Sequence, residues 1–223
     1  MFPIRDTQPS YSTPMVTIAL ILVNALVFFY EISLDAWTRN DFIATYGLVP
    51  EHFTAANLIT SMFLHGGWMH MLGNMWFLWI FGDNIEDILG HAKFLVFYLV
   101  CGVAAGLTQV FLTTDPRIPT VGASGAIAGV MGAYMLKFPH SRVLTLVTII
   151  FFFTTVEVPA WVMLIYWFVI QFTSGVGAIA SSHVTQGGGV AFFAHVGGFV
   201  AGALLINAMG PRRVYSRRRD LRW

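Results

Sequence analysis

Six apolar runs divide this chain, and a soluble fold of its length could not bury them all. They cover about Met15 to Tyr30, Trp68 to Ile88, Phe94 to Leu112, Ser124 to Phe138, Ala160 to Phe172 and Val190 to Met209. A helix needs about 20 residues to cross the hydrocarbon core of a bilayer, and each run reaches or approaches that length. Only 10% of the 223 residues are charged and 57% are hydrophobic, whereas soluble domains average about 25% charged. The apolar excess must therefore meet lipid. The expected fold is an all-α integral membrane protein, a bundle of six transmembrane helices. Residues 1–14 are expected as a cytoplasmic N-terminal tail, 15–210 as the six-span domain and 211–223 as a basic cytoplasmic tail.

The distribution of basic residues orients the bundle. With six spans and both termini cytoplasmic, the inner side holds Arg5, Lys93, Lys137, Arg142 and six arginines of the tail, while the outer side holds Arg39 and Arg117. That distribution obeys the positive-inside rule, and the expected location is a bacterial or archaeal plasma membrane. The first run is read as a retained span, because Tyr30, Glu31 and Ile32 follow it in place of a small-residue cleavage site. The long first outer loop, about Ile32 to Gly67, carries Trp37, Tyr46, Phe53 and Phe63 and is expected to lie partly on the membrane surface. The apolar, β-branched stretch Val143 to Val158, closed by Pro159, either extends the fifth span or forms an interfacial hairpin; the hairpin is favoured. Cys101 is the only cysteine, so no intrachain disulfide or cysteine-based metal site exists. A net charge of +1 offers no basis for a nucleic-acid partner.

Polar groups inside hydrocarbon are costly unless paired, so each is a functional candidate. Asn24, His65, His70, Asn74, Ser124, Glu157, Gln171 and His195 are the candidates. The second, fourth and sixth spans all enter from the outer face. His70 and Asn74, four apart, share one helix face at the start of the second span. Ser124 opens the fourth, and His195 lies roughly 7 Å down the sixth by helical rise. Four reactive side chains thus fall at similar depth on three helices. Ser124, Ala128 and Gly132 form a small-residue face, Gly125 and Gly129 form a GxxxG pair, and Gly198 and Gly202 follow His195. Such faces let membrane helices approach closely. The chemistry this permits is acyl transfer: Ser124 needs a base, and His195 is the side chain suited to that work. The amide of Asn74, the imidazole of His70 and the backbone N–H of Ser124 are candidate oxyanion donors. No acid lies at that depth, so a two-residue dyad is expected. Asn24, Gln171 and Glu157 read as interhelical or interfacial polarity. Asp83, Glu86 and Asp87 read as helix-end polarity, and His52, His91, His140 and His183 as loop residues.

These motifs resemble those of the rhomboid family of intramembrane serine proteases. Gly122-Ala123-Ser124-Gly125 is similar to its GxSG nucleophile motif. His65 to Asn74 (HGGWMHMLGN) resembles its histidine-rich lead into the second span. Ala194-His195-Val196-Gly197-Gly198, continuing to Gly202, resembles its catalytic histidine span. The resemblance covers about Leu58 to Gly202. It implies a Ser124/His195 dyad, an oxyanion site using His70 and Asn74, no cofactor, and substrates that are single-span membrane proteins cut in or near the bilayer. Gly82 and Glu86 resemble a structural GxxxE element. The aromatic fifth span, with Trp161, Tyr166, Trp167 and Phe168, is expected from the resemblance to border the second span as a lateral gate. Two positions depart from the pattern. Ala56-Asn57 stands where some members carry Trp-Arg. Ala128 stands where some bacterial members stack a tyrosine on the catalytic histidine, so another group must orient His195.

Other classes fit less well. A zinc protease would show HExxH, and none occurs. An aspartyl enzyme needs two intramembrane aspartates, and the centres of the runs contain none. A transporter more often places its polar set near the midplane of a repeated fold, and no repeat is visible. A catalytically silent, client-binding relative would typically lack the serine or the histidine, and both are present.

Overall fold

The computed structural model describes residues 2–113, 115–149, 152–180 and 191–210. The basic tail at 211–223, His183 and Val190 lie outside the described residues. Each apolar run folds as a helix: α1 (Met15–Ser33), α4 (Trp68–Leu89), α5 (His91–Leu112), α6 (Ser124–Lys137), α7 (Ala160–Ala180) and α8 (Phe192–Ala208). Two shorter helices, α2 (Ala36–Tyr46) and α3 (Asn57–Thr60), with a 3₁₀ turn at Ser61–Phe63, fold the long first loop. Asp35 caps α2 through the N–H groups of Trp37 and Thr38. By length and composition α1 and α5 are sufficient to cross a membrane, and Ala160–Thr173 and Phe192–Ala208 are shorter apolar helices.

α6 is the centre of the bundle. It packs on α8, α5 and α4, and its residues Gly125 to Tyr134 are all buried. Small residues make this possible. A β-carbon on Gly129 would lie 2.5 Å from Cys101 Cβ of α5. On α8, the α-carbons of Gly198 and Gly202 rest against the backbone of Gly125 and Gly129. Around this seam Leu78, Phe81, Ile85, Phe94, Phe97, Tyr98, Val130 and Ile206 are buried. Many large apolar side chains point outward instead, among them Leu26, Phe29, Trp79, Val96, Phe111, Tyr166 and Leu204. Apolar surface on this scale has a physical reason only where lipid covers it.

Beside the helical bundle, the described residues also form one small three-stranded sheet that was not expected. Arg142–Ile149 and Phe152–Pro159 form an antiparallel hairpin, β2 and β3, so the ambiguous stretch is not an extension of the fifth span. The N-terminal residues Phe2–Asp6 add a third strand, β1, to β2. The alternation Val143, Thr145, Val147 suits a strand, and Val143 and Thr145 are buried. The first residues are also tied to the bundle. Trp76 Nε1–H donates to the Pro3 carbonyl, Asn84 Nδ2–H to that of Gln8, and Asp87 accepts from Tyr11 N–H and Ser12 Oγ–H.

Two of the helix-end acids, Glu86 and Asp87, accept hydrogen bonds from the N-terminal segment. Glu86 is fully buried and accepts from the N–H groups of Val16 and Thr17 at 2.8 Å each, and from Thr17 Oγ1–H at 2.7 Å. α1 begins after Pro14 and has no side-chain cap of its own. A carboxylate from α4 therefore satisfies its free N–H groups and its dipole. His91, expected in a loop, opens α5, with Nδ1 2.6 Å from Glu86 Oε1. Gly90, at φ 77°, is the single residue joining α4 to α5, a left-handed position that glycine adopts without strain.

Candidate active site

A cavity of about 850 Å³ opens between α4 and α7, lined by His70, Asn74, Ser124 and His195 together with Trp167 and Gln171. All four residues expected to share one depth do share one space. Ser124 comes to it through the loop before α6. Gly122 N–H donates to the Ser61 carbonyl at 2.9 Å, and Leu48 pairs with Thr120 through two backbone hydrogen bonds. Gly122 has φ +123°, a conformation open to glycine but strained for other residues. It also stands against the oxyanion candidates. A β-carbon there would lie 2.7 Å from His70 Nε2 and 3.5 Å from Asn74 Nδ2. The first intrahelical hydrogen bond of α6 is Ile127 N–H to Ala123 O, so the N–H groups at its start precede the helical ladder.

His195 Nε2 lies 2.7 Å from Ser124 Oγ. The contact joins residues 71 positions apart, brought together by the glycine seam between α6 and α8. Its other nitrogen, Nδ1, lies 2.7 Å from Gln171 Oε1 of α7. The Trp167 ring stands 5.5 Å away at 41°. Sequence reasoning passed over Gln171 as general polarity. The available signal was its position twelve residues into a helix that rises toward the same face as His195. Gln109 Oε1 accepts the Ala194 N–H at 3.1 Å, which fixes the turn before the histidine.

Asn74 is buried, and its Nδ2 has no hydrogen-bond partner among the described residues. His70 is exposed to the cavity, with its ring 5.2 Å from that of His65. His65 lies in the loop before α4, fully buried, and its backbone N–H donates to Glu31 Oε2 at 3.1 Å. Burial, and then the neighbouring His70, push the His65 imidazole down to about 4, so it is neutral at ordinary pH. Asn24 donates to Leu20 of its own helix, and Glu157 pairs with Arg142 on the sheet; neither approaches the cavity.

These features define a helix bundle of lipid-facing apolar surface in which a serine hydroxyl meets an imidazole on the wall of a cavity. The chain belongs to the rhomboid family, whose rhomboid domain matches residues 52–212. It is accordingly an integral membrane protein. It is 29% identical over 192 residues to "Rhomboid protein 1, mitochondrial" of Saccharomyces cerevisiae, covering 83% of this chain and 51% of that one. It is 33% identical over 125 residues to YdcA of Bacillus subtilis, covering 55% and 61%. With "Presenilin-associated rhomboid-like protein, mitochondrial" of Homo sapiens it shares 35% identity over 99 residues, covering 44% and 26%. The chain thus spans about half the length of the yeast relative and about a quarter of the human one.

Proposed function

We propose that the chain is an intramembrane serine endopeptidase that cuts single-span membrane proteins with a Ser124/His195 dyad. The observation that carries this reading is the 2.7 Å approach of Ser124 Oγ to His195 Nε2 in a cavity large enough for a peptide segment. Ser124 Oγ attacks the scissile carbonyl carbon while its proton passes to Nε2. The imidazolium then protonates the leaving amine as the C–N bond breaks, and a water activated by His195 hydrolyses the acyl ester. Asn74 Nδ2–H, His70 and the N–H at the start of α6 are the donors for the tetrahedral oxyanion. The dyad needs no cofactor for these steps.

The topology proposed is six spans, α1, α4, α5, α6, α7 and α8, with both termini on the basic side; in a bacterial or archaeal plasma membrane that side is the cytoplasm. Helix length supports a site below the opposite face. α6 has 14 residues and rises roughly 21 Å, short of the roughly 30 Å hydrocarbon core. A span that ends at Lys137 on one face therefore leaves Ser124 beneath the other. Substrate helices enter from lipid between α4 and α7, where the cavity opens, and water reaches the dyad from the outer face.

The test is cleavage of single-span reporters by purified protein in liposomes, with Ser124→Ala and His195→Ala beside wild type. Wild type is expected to cut, and each variant to lose at least about 10³-fold in kcat. Either variant cutting at the wild-type rate overturns the dyad. A wild type that binds a panel of reporters and cuts none supports a client-binding role instead.

A further inference from the structure

Ala128 offers no ring of α6 to stack on the imidazole of His195, and two side chains that contact that imidazole come from α7. Gln171 Oε1 lies 2.7 Å from Nδ1, and the Trp167 ring lies tilted beside the imidazole at 5.5 Å. Trp167 is itself 6.3 Å from Phe199 of α8. We infer that Gln171 is a positioning residue that holds His195 in the tautomer carrying its proton on Nδ1. The inference rests on the dyad reading.

The argument is one of donors and acceptors. A neutral imidazole has one N–H and one lone pair. For Ser124 Oγ–H to donate to Nε2, the proton of the ring must be on Nδ1, and that N–H then needs an acceptor. His195 is buried, so an unsatisfied Nδ1–H would carry the cost of a lost hydrogen bond. The Gln171 carbonyl accepts it. The opposite tautomer would set the Nδ1 lone pair against the amide oxygen and turn Nε2–H toward the serine, where no base remains. An amide does this at lower cost than an acid, because a carboxylate within the bilayer needs its own compensation. The partner of Nδ1 is thus a neutral amide and not an acid. The same helix also borders the cavity opposite α4, so the base is held by one wall of the substrate groove.

The tautomer is read directly from the ¹⁵N resonances of His195 in protein labelled at histidine and reconstituted in bilayers, with kcat and KM measured on the same preparations. Wild type is expected to show Nδ1 protonated and Nε2 bare. In Gln171→Met, which keeps the length of the side chain and loses the amide, the tautomer is expected to become mixed, with kcat about tenfold lower for one lost hydrogen bond and KM within about twofold. A wild-type spectrum with the proton on Nε2 overturns the inference whether or not any variant folds. So does a Gln171→Met or Gln171→Leu enzyme with the wild-type tautomer and kcat. A loss confined to thermal stability, with the tautomer unmoved, also overturns it. Failure of the dyad itself is recognised separately, since Ser124→Ala or His195→Ala would then still cut.

Discussion

Gly202 of α8 rests directly on the peptide group of Gly129 in α6: a β-carbon on Gly202 would fall inside the space of the Gly129 carbonyl. The two backbones define the distance between the helix that carries Ser124 and the helix that carries His195. Gly202→Val must drive these helices apart. The expected cost is about 1–3 kcal/mol or more for overpacking, with cleavage lost because the serine leaves hydrogen-bond reach. Gly73→Ala is the control for stability, because nothing lies within 4 Å of its β-carbon position and the change favours the helix by up to about 1 kcal/mol. Thermal unfolding in detergent, measured on both variants, decides the matter. A Gly202→Val protein as stable as wild type would remove the seam from the account.

Asn74 carries a different signature. Its Nδ2 is buried and unpartnered among the described residues, a destabilising arrangement that has a use where the donor meets a charge appearing during reaction. Asn74→Leu keeps the branched shape and removes the unpaired donor. Stability is expected to hold or rise, while kcat falls about 10²-fold, the usual loss for an oxyanion donor, and KM stays near wild type. Opposite movement of Tm and kcat is the diagnostic result. A parallel fall in both would make Asn74 a packing residue.

Much of this was readable before the fold was known, and the reasons are physical. The helices were visible because lipid demands long apolar runs, and all six begin within a few residues of the expected positions. Ser124, His195, His70 and Asn74 stood out because each is a polar group in or at the start of an apolar run, near small residues. Gln171 was not, because its value depends on a 2.7 Å contact with a residue 24 positions away on another helix, which helical counting cannot supply. Glu86 was seen as helix-end polarity because its role is to cap a helix 69 or 70 residues earlier. The strand Phe2–Asp6 was missed for a similar reason. It contains a proline and five residues in all, and it becomes a strand only through its pairing with Val143 to Leu146.

The Glu86 contact makes its own prediction. Three donors of α1 end on one carboxylate in a fully buried position, and capping contacts with charged acceptors are among the stronger hydrogen bonds. Glu86→Ala strands those donors and is expected to cost about 2 kcal/mol or more. Glu86→Gln keeps an acceptor and loses less. The order wild type, Gln, Ala in unfolding temperature checks the assignment. Equal losses for Gln and Ala would mean that packing, not capping, is what Glu86 supplies.

Asp6 ties the N-terminal strand to pH. It lies at the end of β1 and accepts the Tyr134 hydroxyl proton of α6. Burial pushes its carboxyl up from 3.8 to about 6, against the opposing pull of the Tyr134 hydrogen bond. A carboxyl whose folded value exceeds its unfolded one binds more protons in the docked state. The stability it contributes is therefore fully present below about pH 4 and is lost as pH rises through about 6. Strand β1 is expected to undock more often at pH 8 than at pH 5. Amide exchange of Ile4, Arg5 and Asp6, corrected for the intrinsic dependence on pH, measures this as protection that falls across that interval. Asp6→Asn is neutral at every pH and is expected to flatten the dependence. If protection in wild type is the same at both pH values, or if the asparagine variant follows the same curve, the Asp6 carboxyl does not control the docking of the strand.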